Sequence, residues 1–297
     1  MLRNSKTQAL INLLDDPDQS VFRVVQEELV KRDARIIPAL EEKWEHSIDE
    51  ACQHRIENLI QYLHVKEIRR ELKTWVKNEN PSLIAGFNIV SMFLNPDLNF
   101  FRTERRIEEI RKDVWLELND NLTSLEKITV LNHIFFEVHQ FSISHAPNDS
   151  LNNYSLHHLI ESKSGDAYAV ALLYTIIAGM LELPVYFIDF PRNPLLAYFN
   201  REIAIEAHGA NIDTDIIFYI NTSNKGSITG RKELEYHLKK MKFTPDARYY
   251  NKGDNRVFIL RLMSRMQKTF ERSGSIEKAE IVYELKSIIA DHIGMNL

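Results

Sequence analysis

Residues 164–184 read SGDAYAVALLYTIIAGMLELP, and this stretch decides the fold. Between Asp166 and Glu182 about 15 residues, Ala167 to Leu181, run almost without a polar side chain, short of the roughly 18 or more that a membrane span requires. Val170, Leu173, Tyr174, Ile177 and Leu181 fall on one helical face, and Ala171, Leu172, Ile176 and Met180 on another. A helix apolar on every side is one buried at the centre of a domain. Ser164 is expected to cap its start, because a short hydroxyl side chain satisfies free N–H groups of the first turn. Asp166 complements the positive end of the helix dipole; the other use of its carboxylate would be as an acid or as a ligand for a cationic group.

Downstream of Pro184 the period falls to two and the composition becomes β-rich, which predicts antiparallel strands over residues 185–190, 195–199, 202–206 and 216–220. Residues 231–241 return to helical spacing. From residue 255 the pattern is a helical hairpin: Ile259, Leu262, Met263, Met266 and Phe270 form one stripe, Ser273-Gly274-Ser275 the turn, and Ile276, Ala279 and Tyr283 continue the second helix. Tyr249 and Tyr250 just before it are expected to pack the hairpin onto the core. Upstream, helices are expected at 82–94, 102–118, 124–141 and 156–161, with a polar loop over 142–153. The N-terminal stretch shows short helical stripes (Val21, Phe22, Val25, Leu29; Ile37, Leu40, Trp44; Ile48, Cys52, Ile56, Leu59, Leu63), and residues 13–44 are similar to HEAT-type helical repeats. The expected organisation is an α+β, predominantly helical chain: residues 1–80 helical and HEAT-like, 81–247 a core with a small antiparallel sheet, and 248–297 the hairpin.

Composition removes several functions. Among 297 residues, 37 basic side chains face 42 acidic ones for a net charge of −5, which argues against a phosphate-tracking nucleic-acid binder. Nine glycines, about 3% of the chain, never form G-x-G-x-x-G or a P-loop. The single cysteine, Cys52, excludes intrachain disulfides and multi-thiolate metal sites, and it lies on an apolar stripe, as a core thiol does. His157-His158, His133, His139 and His145 lack H-x-x-x-H or H-E-x-x-H spacing, so no metal is expected. The early apolar run is broken at Asn12 and ends at Asp15-Asp16, so no signal peptide or membrane partner is expected and a cytoplasmic protein is.

Four stretches carry a family resemblance: Asn153 to Gly165 with Leu156, Leu159 and Ile160; Gly165 to Val185 with its Leu172-Leu173-Tyr174 and Leu181-Glu182-Leu183-Pro184; Phe218 to Leu234 with Asn221, Asn224, Gly226 and Glu233; and Asn255 to Ile289. In this order they resemble the SirB1 group of transglutaminase-like proteins, which carry a C-terminal tetratricopeptide-like repeat. The resemblance implies a papain-like core in which active relatives place a Cys at the start of the buried helix, a His on a following strand and an Asp on the next. The helix end lowers the thiol pKa, the His takes the proton, and the carboxylate fixes the imidazole. On this alignment the three positions are Ala167, Asn193 and Asn221, so all three functions of the triad are missing. Asn153, Ser164, Gly165, Asp166 and Asn224 would line the vacated cleft.

The expected function is therefore non-catalytic: a cytoplasmic protein- or peptide-binding or regulatory module that needs no cofactor. The competing expectation is a hydrolase or acyltransferase that draws a nucleophile from elsewhere in the cleft, such as Ser164, Tyr168 or a bound water.

Overall fold

The computed structural model describes residues 5–96, 100–144, 150–208, 214–244 and 246–297, and the chain divides into two compact units, Met1–Lys73 and Thr74–Leu297. The first unit is helical: α1 (Ser5–Asn12), α2 (Gln19–Val30), α3 (Ile37–His46) and α4 (Glu50–Lys77), whose last turn belongs to the second unit. Asp18 caps α2 by accepting the Ser20 N–H at 2.8 Å. The stripes close on one core of Ile11, Leu14, Val25, Leu29, Ile37, Leu40, Cys52, Ile56, Leu59 and Leu63. Ile48 departs from its expected stripe: it precedes α4 and is 98% exposed. Cys52 is fully buried, as its stripe implied.

The second unit begins with α5 (Leu83–Leu94), α6 (Phe100–Glu117) and α7 (Ser124–Asn132), the last continuing as a π-helical turn over His133–Val138. Thr123 and Glu126 close a capping box on α7. Next come β1 (Ser142–Ile143), α8 (Leu156–Ser162), β2 (Ser164–Gly165) and the apolar helix α9 (Ala167–Met180). α9 is buried from Ala167 through Ala178, as an all-round apolar helix must be. β1 and β2 form a short parallel pair, Ser142 opposite Ser164. The main sheet is antiparallel in the order β3 (Val185–Ile188), β4 (Leu195–Phe199), β5 (Ile216–Asn221), β6 (Ser227–Thr229). Its register sets Ile188 opposite Leu195 and Leu196 opposite Ile220. The β3–β4 turn and the end of β5 therefore share one edge.

One expected strand is a helix. Residues 202–206 lie in α10 (Arg201–His208), because the Asn200 side chain accepts the Ile203 N–H at 3.1 Å and starts a helical turn, with Ala204 as its buried residue.

The chain ends with α11 (Arg231–Lys240), α12 (Asn255–Arg272) and α13 (Ile276–Ile293), with Gly274 at φ +76° in the α12–α13 turn. α12 lies against α13, α5 and α9. Phe258 stacks on Phe187 of β3 at 4.1 Å between centroids, and the buried Tyr154 hydroxyl meets Thr269 Oγ1 at 2.8 Å. Tyr249 is buried with Ile188, Leu195, Ala197, Ile216 and Tyr219, so it does pack against the sheet. No helix among the described residues is long and apolar enough to cross a membrane.

Candidate functional site

The start of α9 is capped by Asp166, not by Ser164. Ser164 is held in β2 by its pairing with Ser142, two residues short of the cap position. Asp166 Oδ1 accepts the Tyr168 N–H at 2.8 Å, and the Asp166 N–H donates to the Asn153 carbonyl at 2.9 Å. The other carboxylate oxygen accepts from Arg265 Nε at 2.7 Å. The carboxylate is at once a complement to the helix dipole and a ligand for a cation, and the cation is the chain's own. Burial pushes the Asp166 carboxyl up from its ordinary range, against the pull of Arg265 and the Tyr168 N–H. Ala167, the first helical residue, is 7% exposed.

A second buried carboxylate follows β3. Asp189 is 7% exposed and is gripped by Arg261, whose Nε and Nη2 donate to its two oxygens at 2.9 Å each. This fork is the geometry a guanidinium offers a carboxylate, and the bond raises the Arg261 pKa. Arg248 reaches the same Asp189 at 3.5 Å and donates to Asp246 at 2.7 Å. The Arg248 side-chain bond holds Asp246 at about 2.

These groups open onto one cavity of about 380 Å³, lined among others by Tyr168, Asp189, Arg192, Arg248, Arg261, Arg265 and Lys268, with Phe190 and Phe243 as aromatic wall. Three of the cations stand on α12 at positions 261, 265 and 268, an i, i+4, i+7 face. The stripe through Leu262, Met263, Met266 and Phe270 is buried and directs that polar face outward. Tyr168 contributes a phenol pushed up to about 12 by burial, so it stays protonated at neutral pH. No histidine or cysteine lines the cavity among the described residues.

The remaining sequence-derived positions are dispersed around this end of the core. Asn193 is exposed in the β3–β4 turn, its N–H bonded to the Pro191 carbonyl at 2.9 Å. Asn221 ends β5 and accepts the Ser223 N–H at 3.0 Å, while Asn224 donates to Ser227 Oγ at 3.2 Å. Asn153 acts through its backbone carbonyl, and Gly165 is packed against it: a Cβ there would lie 3.2 Å from that oxygen. No hydrogen bond joins Asn153, Asn193, Asn221 and Asn224 to one another among the described residues. Asn132 bonds α9 through its side chain: it accepts from the Tyr174 hydroxyl at 2.8 Å and donates to the Gly226 carbonyl at 2.9 Å. The histidines are separately engaged: His133 with Glu137 at 2.9 Å, His139 with Asp113 at 2.8 Å, and His157 with Thr103 at 3.1 Å. His145 lies outside the described residues.

The family model described as the transglutaminase-like superfamily matches residues 102–264, more than half of the chain, and the chain belongs to that superfamily. Among curated proteins, it is 22% identical over 202 residues to F-box only protein 21 of Mus musculus, an alignment that takes in 60% of this chain and 31% of that protein. The chain thus spans under a third of that relative's length. No solved structure matches the chain.

Proposed function

We propose that the chain is a non-catalytic, SirB1-like member of its superfamily, a cytoplasmic module that binds a protein or peptide without turning it over and needs no cofactor. The observation that carries this reading is the start of α9. The residue there is Ala167, and the preceding carboxylate is already spent on the helix cap and on Arg265. The chain's one thiol, Cys52, is fully buried in the core of the other unit. A thiolate stabilised by the helix end therefore has no candidate. Tyr168, one of the alternative nucleophiles, is kept as a phenol by burial, and the carboxylate that lines the cavity with it, Asp189, already accepts from Arg261 at both oxygens. The C-terminal hairpin as a tetratricopeptide-like repeat and the N-terminal helices as HEAT-like repeats belong to the same proposal, as the surfaces on which a partner would sit.

The test is acyl transfer and hydrolysis by the full chain, with a glutamine peptide plus a fluorescent amine, and with p-nitrophenyl acetate. The expected result is no turnover above buffer. Turnover that is lost in Asp166→Ala or Tyr168→Phe would replace this reading with the hydrolase or acyltransferase one.

A further inference from the structure

The cavity beside the start of α9 is built for an anion, which names the chemistry of a ligand for the non-catalytic site and rests on that reading. Arg192, Arg248, Arg261, Arg265 and Lys268 line it, and Asp189 is the sole acidic residue lining it among the described residues. Counting Asp166 and Asp246, which also hold arginines of the set, five cations face three carboxylates. The surplus is two positive charges. A phosphomonoester carries about −1.5 to −2 at neutral pH and presents three strong acceptor oxygens.

The carboxylates orient the guanidiniums without exhausting them. Arg265 spends only Nε on Asp166, which leaves both terminal nitrogens as donors. Arg261 spends Nε and Nη2 on Asp189 and keeps Nη1. Arg192 lies over the Phe243 ring at 5.5 Å, and neither it nor Lys268 has a carboxylate partner among the described residues. Lys286 of α13 donates to Gln267 Oε1 at 2.8 Å, and burial pushes its pKa down. Guanidiniums fixed by buried carboxylates have already lost much of the rotamer freedom that binding would otherwise cost. The aromatic wall of Phe190 and Phe243 offers an apolar surface for whatever carries the charge.

We propose that this cavity binds a phosphoryl group, through the free donors of Arg192, Arg261, Arg265 and Lys268. The group could be presented by a phosphorylated protein segment or by a phosphorylated small molecule. The experiment is calorimetric titration of the full chain at low salt with inorganic phosphate, phenyl phosphate, and a phosphoserine peptide beside its unphosphorylated form. Arg192→Ala and Lys268→Ala are the variants, because neither side chain holds a carboxylate and both are exposed.

Expected are saturable, salt-sensitive binding of the phosphorylated probes and a loss of about tenfold in affinity in each variant, with an unchanged melting temperature. A peptide that outbinds phenyl phosphate identifies a protein segment as the carrier, and the reverse order identifies a small molecule; either supports the proposal. No saturable binding of any phosphorylated probe up to about 10 mM, or equal affinity in wild type and both variants, overturns it. Acyl turnover measured in the same samples bears on the non-catalytic reading: binding with turnover sinks that reading and keeps the phosphoryl site, whereas neither binding nor turnover sinks the phosphoryl site alone.

Discussion

Replacing Arg265 by Met should destabilise the chain more than replacing its partner Asp166 by Ala or Asn. The Asp166 side chain is 6% exposed and that of Arg265 is 43% exposed. Breaking a fully buried pair by removing one member costs about 3–5 kcal/mol, because the other charge is stranded. Here the half-exposed guanidinium lets water approach, and the Tyr168 N–H still bonds the carboxylate, so about 2 kcal/mol is expected for Arg265→Met. Asp166→Ala removes the cap and leaves a guanidinium that can hydrate, for a cost of about 1–1.5 kcal/mol. Asp166→Asn keeps an acceptor for the cap and buries no charge, so its cost is about 0.5 kcal/mol. The pH dependence has a definite sign. Burial raises the folded-state pKa of Asp166 above its unfolded value, so the stability this group contributes is present at low pH and is lost as pH rises through the folded pKa. Without Arg265 the carboxyl shifts further up, so the deficit of Arg265→Met must shrink between pH 7 and pH 5 as the stranded carboxylate takes a proton. Urea unfolding followed by circular dichroism at the two pH values reads both effects. An Arg265→Met variant no weaker than Asp166→Asn, or one whose deficit is independent of pH, would falsify this account of the pair.

Two further changes test the packing that holds α12 in place. Gly86→Ala should lose about 1–2 kcal/mol, although Ala is the better helix former by about 1 kcal/mol. Its Cβ would lie 2.7 Å from the Trp75 ring and 2.9 Å from Ile259, and urea unfolding gives the sign directly. Arg256→Met should cost about 2–3 kcal/mol, because the buried guanidinium donates to the Val76 carbonyl at the end of α4 at 2.8 Å, to the Asn78 carbonyl, and to the Asp254 carboxylate at 2.9 Å, and the variant would leave these acceptors unsatisfied. The same unfolding measurement checks it, with retained α-helical signal in the native baseline.

The parts of the fold legible in the sequence are those written in local periodicity. α9 is apolar on all sides and needed no partner to be recognised; strands at 185–188, 195–199 and 216–221 alternate or run apolar between turn residues; the hairpin carries its stripe and its glycine turn. Residues 202–206, Glu-Ile-Ala-Ile-Glu, satisfy a period of two as well as a single helical turn, and the deciding signal was Asn200 in front of them. The cap of α9 is ambiguous in the sequence for a similar reason: Ser164 and Asp166 are both good caps, and only the pairing of β2 with β1 removes Ser164 from contention. The arginine and carboxylate set is not legible in the sequence. Its basic members at 261, 265 and 268 form a readable helical face, but Asp189 lies 72 residues from Arg261, and Asp166 lies 99 from Arg265. Nothing in local spacing announces such partners.

The same separation in sequence explains why the hairpin is part of the site and not an appendage to it. The superfamily match ends at residue 264, between Arg261 and Arg265, yet both arginines neutralise carboxylates that belong to the α9–β3 region. α12 also buries Phe258, Leu262, Met263, Met266 and Phe270, so one helix supplies apolar surface to the core on one side and the counter-charges of the cavity on the other. Cutting the chain before residue 255 would strand Asp166 and Asp189 as buried anions and would expose the covered faces of α5 and α9 at the same time. Loss of a binding partner after such a truncation would therefore report unfolding as readily as loss of a surface. Single changes at the exposed cations, which leave both buried pairs intact, are the perturbations that separate the two.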